Sequence, residues 1–151
     1  MIRVALDPHD WKEIDEVAWK RHKKFKNVDS NYGTSRDYEK DMVGAAGEYA
    51  VAKYFGLEWT GRDDDNATDV EFLEVRTRTK PGGLLCVHDK EIERKKLQPG
   101  QKYVLCWYNS EQAITIVGWA FATEIRKAKI YANGRWYIQN EKLHEIHTVL
   151  L

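Results

Sequence analysis

Residues 37–55 read as a single helix with no solvated side. Val43, Ala45, Ala46, Tyr49, Ala50, Val51, Ala52 and Phe55 fall around nearly its whole circumference. A helix apolar all round is largely buried, so the rest of the chain has to cover it. Gly56 stands where a helix of this length stops. Gly44 and Gly47 leave room for a neighbouring backbone to come close. Into this apolar surface the sequence sets Glu48, flanked at three and four residues by Gly44, Ala45, Val51 and Ala52. A carboxylate on such a face needs a cation or a hydrogen-bond donor. Asp41 falls on nearly the same stripe about two turns earlier.

The second constraint is the stretch 69–80, Asp-Val-Glu-Phe-Leu-Glu-Val-Arg-Thr-Arg-Thr-Lys. From Glu74 onward it has a period of two. Glu74, Arg76, Arg78 and Lys80 point one way, Val75, Thr77 and Thr79 the other. A strand presenting one carboxylate and several cations on one face needs a metal, a phosphate or water opposite it. Asp69 and Glu74 are five apart and in an unbroken strand would face opposite sides. They converge only if the chain bends within residues 70–73.

Charge is distributed unevenly although the formal net charge is zero. Residues 20–26 hold five cations and no acid, and residues 58–74 hold seven acids against Arg62 alone. Residues 76–102 return to eight cations against three acids. An acidic centre between basic flanks suits a site that holds cations and faces an anionic polymer. The cations at 20–26 also complement the end of a helix that starts at Asp7-Pro8, with Trp11, Ile14, Ala18 and Phe25 at helical spacing. The two cysteines, Cys86 and Cys106, each sit in an apolar run and read as reduced, buried side chains. No signal-peptide stretch and no membrane-spanning run is present, so the expected location is intracellular, in the cytoplasm.

The 151 residues are expected to form one domain. Residues 27–36 read as a loop. Pro81-Gly82-Gly83 reads as a turn joining strand arms 74–80 and 84–88 in a hairpin. The connection 89–100 is charged, with a helical turn at 91–96. Strands at 102–108 and 113–121 form an antiparallel pair. A short helix at 123–128, a strand at 135–139 and a final helical turn or two at 141–147 complete the chain. The fold class is α/β, a mixed β-sheet flanked by helices.

The Gly-rich helix with Gly44-Ala45-Ala46-Gly47-Glu48, then Asp69, then Glu74-Val75-Arg76, resembles the PD-(D/E)XK nuclease superfamily over roughly residues 37–88. The pattern is also similar to small bacteriophage members of that superfamily. The resemblance implies a restriction-endonuclease-like core: a helix, a β-meander, a further helix and strand. It implies that Glu48, Asp69, Glu74 and the backbone carbonyl of Val75 bind Mg²⁺ or Mn²⁺. It also implies hydrolysis of a nucleic acid, DNA ahead of RNA, with Arg78 and Lys80 following the phosphate backbone. Thr68 stands where the motif has Pro, and Arg76 where it has Lys. Arginine does not give up its proton, so Arg76 could stabilise charge on a phosphate but not act as a base. That substitution opens a second expectation: a non-catalytic module on the same fold, binding nucleic acid or a protein partner.

Other motifs carry less. His144 and His147 are three apart rather than four and read as surface residues. Asp63-Asp64-Asp65 lacks the alternate spacing of a calcium loop and reads as solvated. His88 ends a strand and reads as a hydrogen-bonded structural histidine. Most of the six tryptophans read as core, with base stacking open to some.

Overall fold

The computed structural model describes residues 1–25, 38–62, 68–95 and 100–151. The turn-rich stretch 27–36, Lys26 and the run Asp63-Asp64-Asp65 lie outside the described residues.

Strand β1 (Ile2–Ala5) leads into helix α1 (Pro8–Phe25). The helix start is capped reciprocally. The Asp10 amide donates to Asp7 Oδ1 at 2.8 Å, and the Asp7 amide donates to Asp10 Oδ2 at 2.9 Å. Ile14 and Ala18 are fully buried on the inward stripe. Helix α2 (Tyr38–Phe55) is buried along most of its length and ends at Gly56, whose φ of +66° suits glycine. Gly47 is needed for close approach, since a Cβ there would lie 1.8 Å from Thr77 Oγ1, whereas a Cβ at Gly44 meets none of the described residues.

Then come β2 (Leu73–Arg78), β3 (Leu85–His88), α3 (Asp89–Lys95), β4 (Lys102–Ser110), β5 (Ala113–Phe121), α4 (Ala122–Lys127), β6 (Ile130–Ala132) and β7 (Arg135–Ile138). Two 3-10 turns, Asn140–Lys142 and Ile146–Thr148, stand where a last helical turn was expected. The larger sheet has the order β1-β5-β4-β2, with β2 parallel to β4 and the other pairs antiparallel. A smaller antiparallel sheet has the order β3-β7-β6. The fold is therefore α/β, with a mixed sheet flanked by helices, and β4–β5 is the antiparallel pair that the sequence predicts.

The predicted hairpin of 74–80 with 84–88 does not form. A turn exists, with the Gly83 amide donating to Lys80 O at 3.1 Å, but it carries the chain from one sheet to the other. The reason lies in the side chains. Leu73 and Val75 pack toward the helices, while Leu85 and Val87 enter a second core beneath the opposite face of the sheet. β2 therefore pairs with β4, and β3 with β7. For the same reason the described residues form no β-meander after the helix.

β4 divides these two cores by alternation. Val104 and Cys106 face α1 and α2, whereas Tyr103, Leu105 and Trp107 face the small sheet and α4. Cys86 and Cys106 are free thiols, as expected, but only Cys106 is buried and Cys86 is half-buried. Among the described residues no helix is long and apolar enough to cross a membrane.

Candidate functional site

The bend that Asp69 and Glu74 require is a tight reversal at residues 70–73. The Leu73 amide donates to Val70 O at 2.8 Å and the Val70 amide returns a bond to Leu73 O at 3.0 Å. Val70 and Leu73 are both fully buried, which anchors the turn in the core. Glu71, between them, takes φ +49°, a left-handed conformation that costs a non-glycine residue some strain. The reversal brings Asp69 back beside the strand it precedes. Its Oδ2 accepts the Val75 amide at 2.8 Å.

Around that contact three oxygens converge on a single nitrogen. Arg76 Nη1 lies 3.3 Å from Asp69 Oδ2, 3.4 Å from Glu74 Oε2 and 3.1 Å from the Val75 carbonyl. The other terminal nitrogen, Nη2, pairs with Glu91 Oε1 in the first turn of α3. The guanidinium carbon stands 5.1 Å from the centroid of the Tyr103 ring, close enough for a cation–π contact. Glu74, Glu91 and Tyr103 are buried. Asp69 and Arg76 form the mouth, with 25% and 27% of their side chains exposed.

Glu48 reaches the same region from α2, which the Gly47–Thr77 contact draws against β2. Arg21 of α1 meets it in a two-pronged ion pair, Nη1 to Oε2 at 2.5 Å and Nη2 to Oε1 at 3.2 Å. Arg21 Nη2 also donates to the Gly61 carbonyl at 3.2 Å. Such a planar fork holds both members in one orientation.

The electrostatics follow from crowding four acids, Glu48, Asp69, Glu74 and Glu91, around two arginines, Arg21 and Arg76. Burial, together with the negative charge of Glu48, pushes the Asp69 carboxyl up to about 6, against the pull of Arg76 and the Val75 amide. Burial works against the Arg76 charge, but Glu91, Asp69 and Glu74 outweigh it and hold its pKa well above the ordinary arginine value. Burial and the charge of Glu91 raise the Tyr103 phenol, so it stays protonated. Its buried hydroxyl has no hydrogen-bond partner among the described residues.

Thus Glu48, Asp69, Glu74, Val75 and Arg76 are brought into one neighbourhood. The cationic row continues in the strand only one step further, to Arg78. β2 ends at Arg78, whose Nη1 lies 3.2 Å from Cys86 Sγ, and Lys80 is exposed in the following turn. His88 Nδ1 accepts the Lys90 amide at 3.2 Å, the structural role expected of it. His144 pairs with Glu124 at 2.9 Å and the exposed His147 with Glu145 at 3.3 Å, so the two histidines do not share a ligand.

Three residues of the site are not foreseen from the sequence as parts of it. Arg21 carried a readable signal, since it follows Ile14 and Ala18 on the buried stripe at positions 14, 18 and 21. Tyr103 alternates with Leu105 and Trp107 on one face of β4. Glu91 carried none, because a seven-residue helix is too short to show a buried face.

The site's donors suit a hard divalent cation, which takes carboxylate and carbonyl oxygens. Asp69, Glu74 and the Val75 carbonyl surround one positively charged atom, Arg76 Nη1, at 3.1–3.4 Å. Among the described residues no three acidic, histidine or cysteine side chains are by themselves placed to hold a metal. The third oxygen of this cradle is a backbone carbonyl, and Glu48 is turned to Arg21. Comparison of the chain with models of known protein families, with curated proteins and with solved structures gives no match.

Proposed function

We propose that the domain is a metal-dependent nuclease-like protein that hydrolyses phosphodiester bonds of DNA or RNA, on a restriction-endonuclease-like core. The observation that carries this reading is the convergence of Asp69, Glu74 and the Val75 carbonyl on one cationic atom at a partly open mouth. The parallel β2–β4 pair, with α3 lying between the two strands in sequence, supports the later helix-and-strand part of that core, while the meander before it is not formed by the described residues. Asp69, Glu74 and Val75 would hold Mg²⁺ or Mn²⁺, with Glu48 as the additional carboxylate. The ion, when bound, supplies Lewis-acid polarisation and lowers the pKa of a water.

The chain's own residues do the rest. Arg76 is always charged, so it takes no proton from water. It offers a planar fork of donors that can hold a phosphate and stabilise the charge that grows on it. Arg78 and Lys80 would carry the contact along the backbone. The test is cleavage of DNA and RNA with Mg²⁺ or Mn²⁺. Asp69→Asn and Glu74→Gln should each abolish cutting, a loss of several hundredfold or more. Cutting that persists in both variants, or in EDTA, would rule the reading out.

One observation favours a second reading. Arg76 fills the cradle with a charge that cannot be titrated away. A non-catalytic domain that binds nucleic acid, or a protein partner, through the same surface would show salt-dependent binding with no metal requirement. Activity appearing in Arg76→Lys alone would mark such a domain as one derived from an enzyme.

A further inference from the structure

The guanidinium of Arg76 has two ends with different neighbours. Nη1 sits among Asp69, Glu74 and the Val75 carbonyl, while Nη2 is paired with Glu91, a buried acid from another layer of the fold. The Tyr103 ring faces the guanidinium at 5.1 Å. We infer that Glu91 is a positioning residue: by holding Nη2 from outside the cradle, it lets Nη1 yield its place to a divalent cation while Arg76 stays at the mouth. This deepens the nuclease reading and rests on it.

Two cations compete for one place. A metal ion entering between Asp69 and Glu74 has to replace Nη1 there. In the native arrangement the guanidinium keeps its ion pair with Glu91 after Nη1 leaves. Without that charge, Asp69 and Glu74 are the acids left beside Arg76 among the described residues, and the metal competes against a cation held more firmly to them. Arginine suits this arrangement because its fork spans two acids at once. The point charge of lysine does not.

The test combines two measurements on wild type, Glu91→Gln, Arg76→Lys and the double variant. Thermal unfolding without metal reads whether Glu91 and Arg76 are coupled. The midpoint loss in the double variant should be clearly smaller than the sum of the two single losses. Calorimetric titration with Mn²⁺ then reads the consequence. Glu91→Gln should weaken Mn²⁺ binding by roughly tenfold in the Arg76 protein and by less than about threefold in the Arg76→Lys protein. Glu91→Asp, which keeps the charge on a shorter stem, should recover part of the loss if Glu91→Gln folds poorly.

An equal loss in both backgrounds would mean that Glu91 acts only through its field, and would overturn the inference. So would an unchanged affinity in Glu91→Gln. Mn²⁺ binding without Arg76–Glu91 coupling sinks the inference alone. Coupling without Mn²⁺ binding in any variant sinks the nuclease reading and, with it, the role of Glu91 in admitting a cation.

Discussion

Gly47 shows how much a single hydrogen atom can decide in this molecule. Its Cα lies so near β2 that an added methyl would overlap Thr77 Oγ1, and the next residue along the helix is Glu48. Gly47→Ala should therefore destabilise the domain by about 1–3 kcal/mol through overpacking, measured by urea unfolding. Thr77→Ala in the same chain should return part of the loss. Gly44→Ala, one turn earlier, meets nothing within 4 Å among the described residues and should instead stabilise by up to ~1 kcal/mol through helix propensity. Both glycines look alike in the sequence. Only the position of a neighbouring strand, which no local pattern reports, separates them.

Helices α1 and α2 are joined by charge as well as by packing. Asp10 of α1 accepts the Tyr49 hydroxyl at 2.6 Å and Lys53 Nζ at 2.7 Å from α2. Burial pushes the Asp10 carboxyl upward, but Lys53, Tyr49 and the Asp7 amide outweigh it and lower its pKa to about 2. An unfolded aspartate titrates near 3.8. The folded state therefore gains from Asp10 at any pH above about 4, and that gain disappears as pH falls toward 2. Asp10→Asn should flatten the fall in melting temperature across that window while lowering stability at neutral pH.

The elements also differ in how legible they are from sequence. α1 and α2 announce themselves through Asp7-Pro8, Gly56 and their apolar spacing, and their bounds follow within a residue or so. β2 is legible as a strand but not in its pairing. Pro81-Gly82-Gly83 has hairpin chemistry, yet burial of Leu85 and Val87 on the far side of the sheet outweighs it. β1 has four residues and β6 three, too few to show a period. Asp69, Glu74 and Glu48 could be singled out as carboxylates needing partners. That each meets an arginine, and which one, depends on contacts made across the fold.

At the scale of the whole molecule, the site lies where the two cores meet. Glu48 comes from the helical layer, Arg76 from the sheet and Glu91 from the layer beneath it. β2 is the terminal strand of its sheet, so Val75 turns its amide and carbonyl away from β4 toward Asp69 and Arg76. Strand edges left open invite pairing with other chains. Here a carboxylate and a guanidinium occupy that edge. Asp69→Ala should speed deuterium exchange at the Val75 amide by tenfold or more, on the order of one lost hydrogen bond to a charged group. Asp69→Asn, which keeps an acceptor oxygen, should leave exchange much closer to the native rate.

This gives Asp69 a reason to persist that is independent of the proposed nuclease role. A descendant of this chain that had lost every trace of chemistry would still be selected, for solubility, to keep an oxygen at position 69. Among relatives, an intact acidic residue there would be poor evidence of a working enzyme. Glu74, which makes no such edge contact with Val75, would be the better guide.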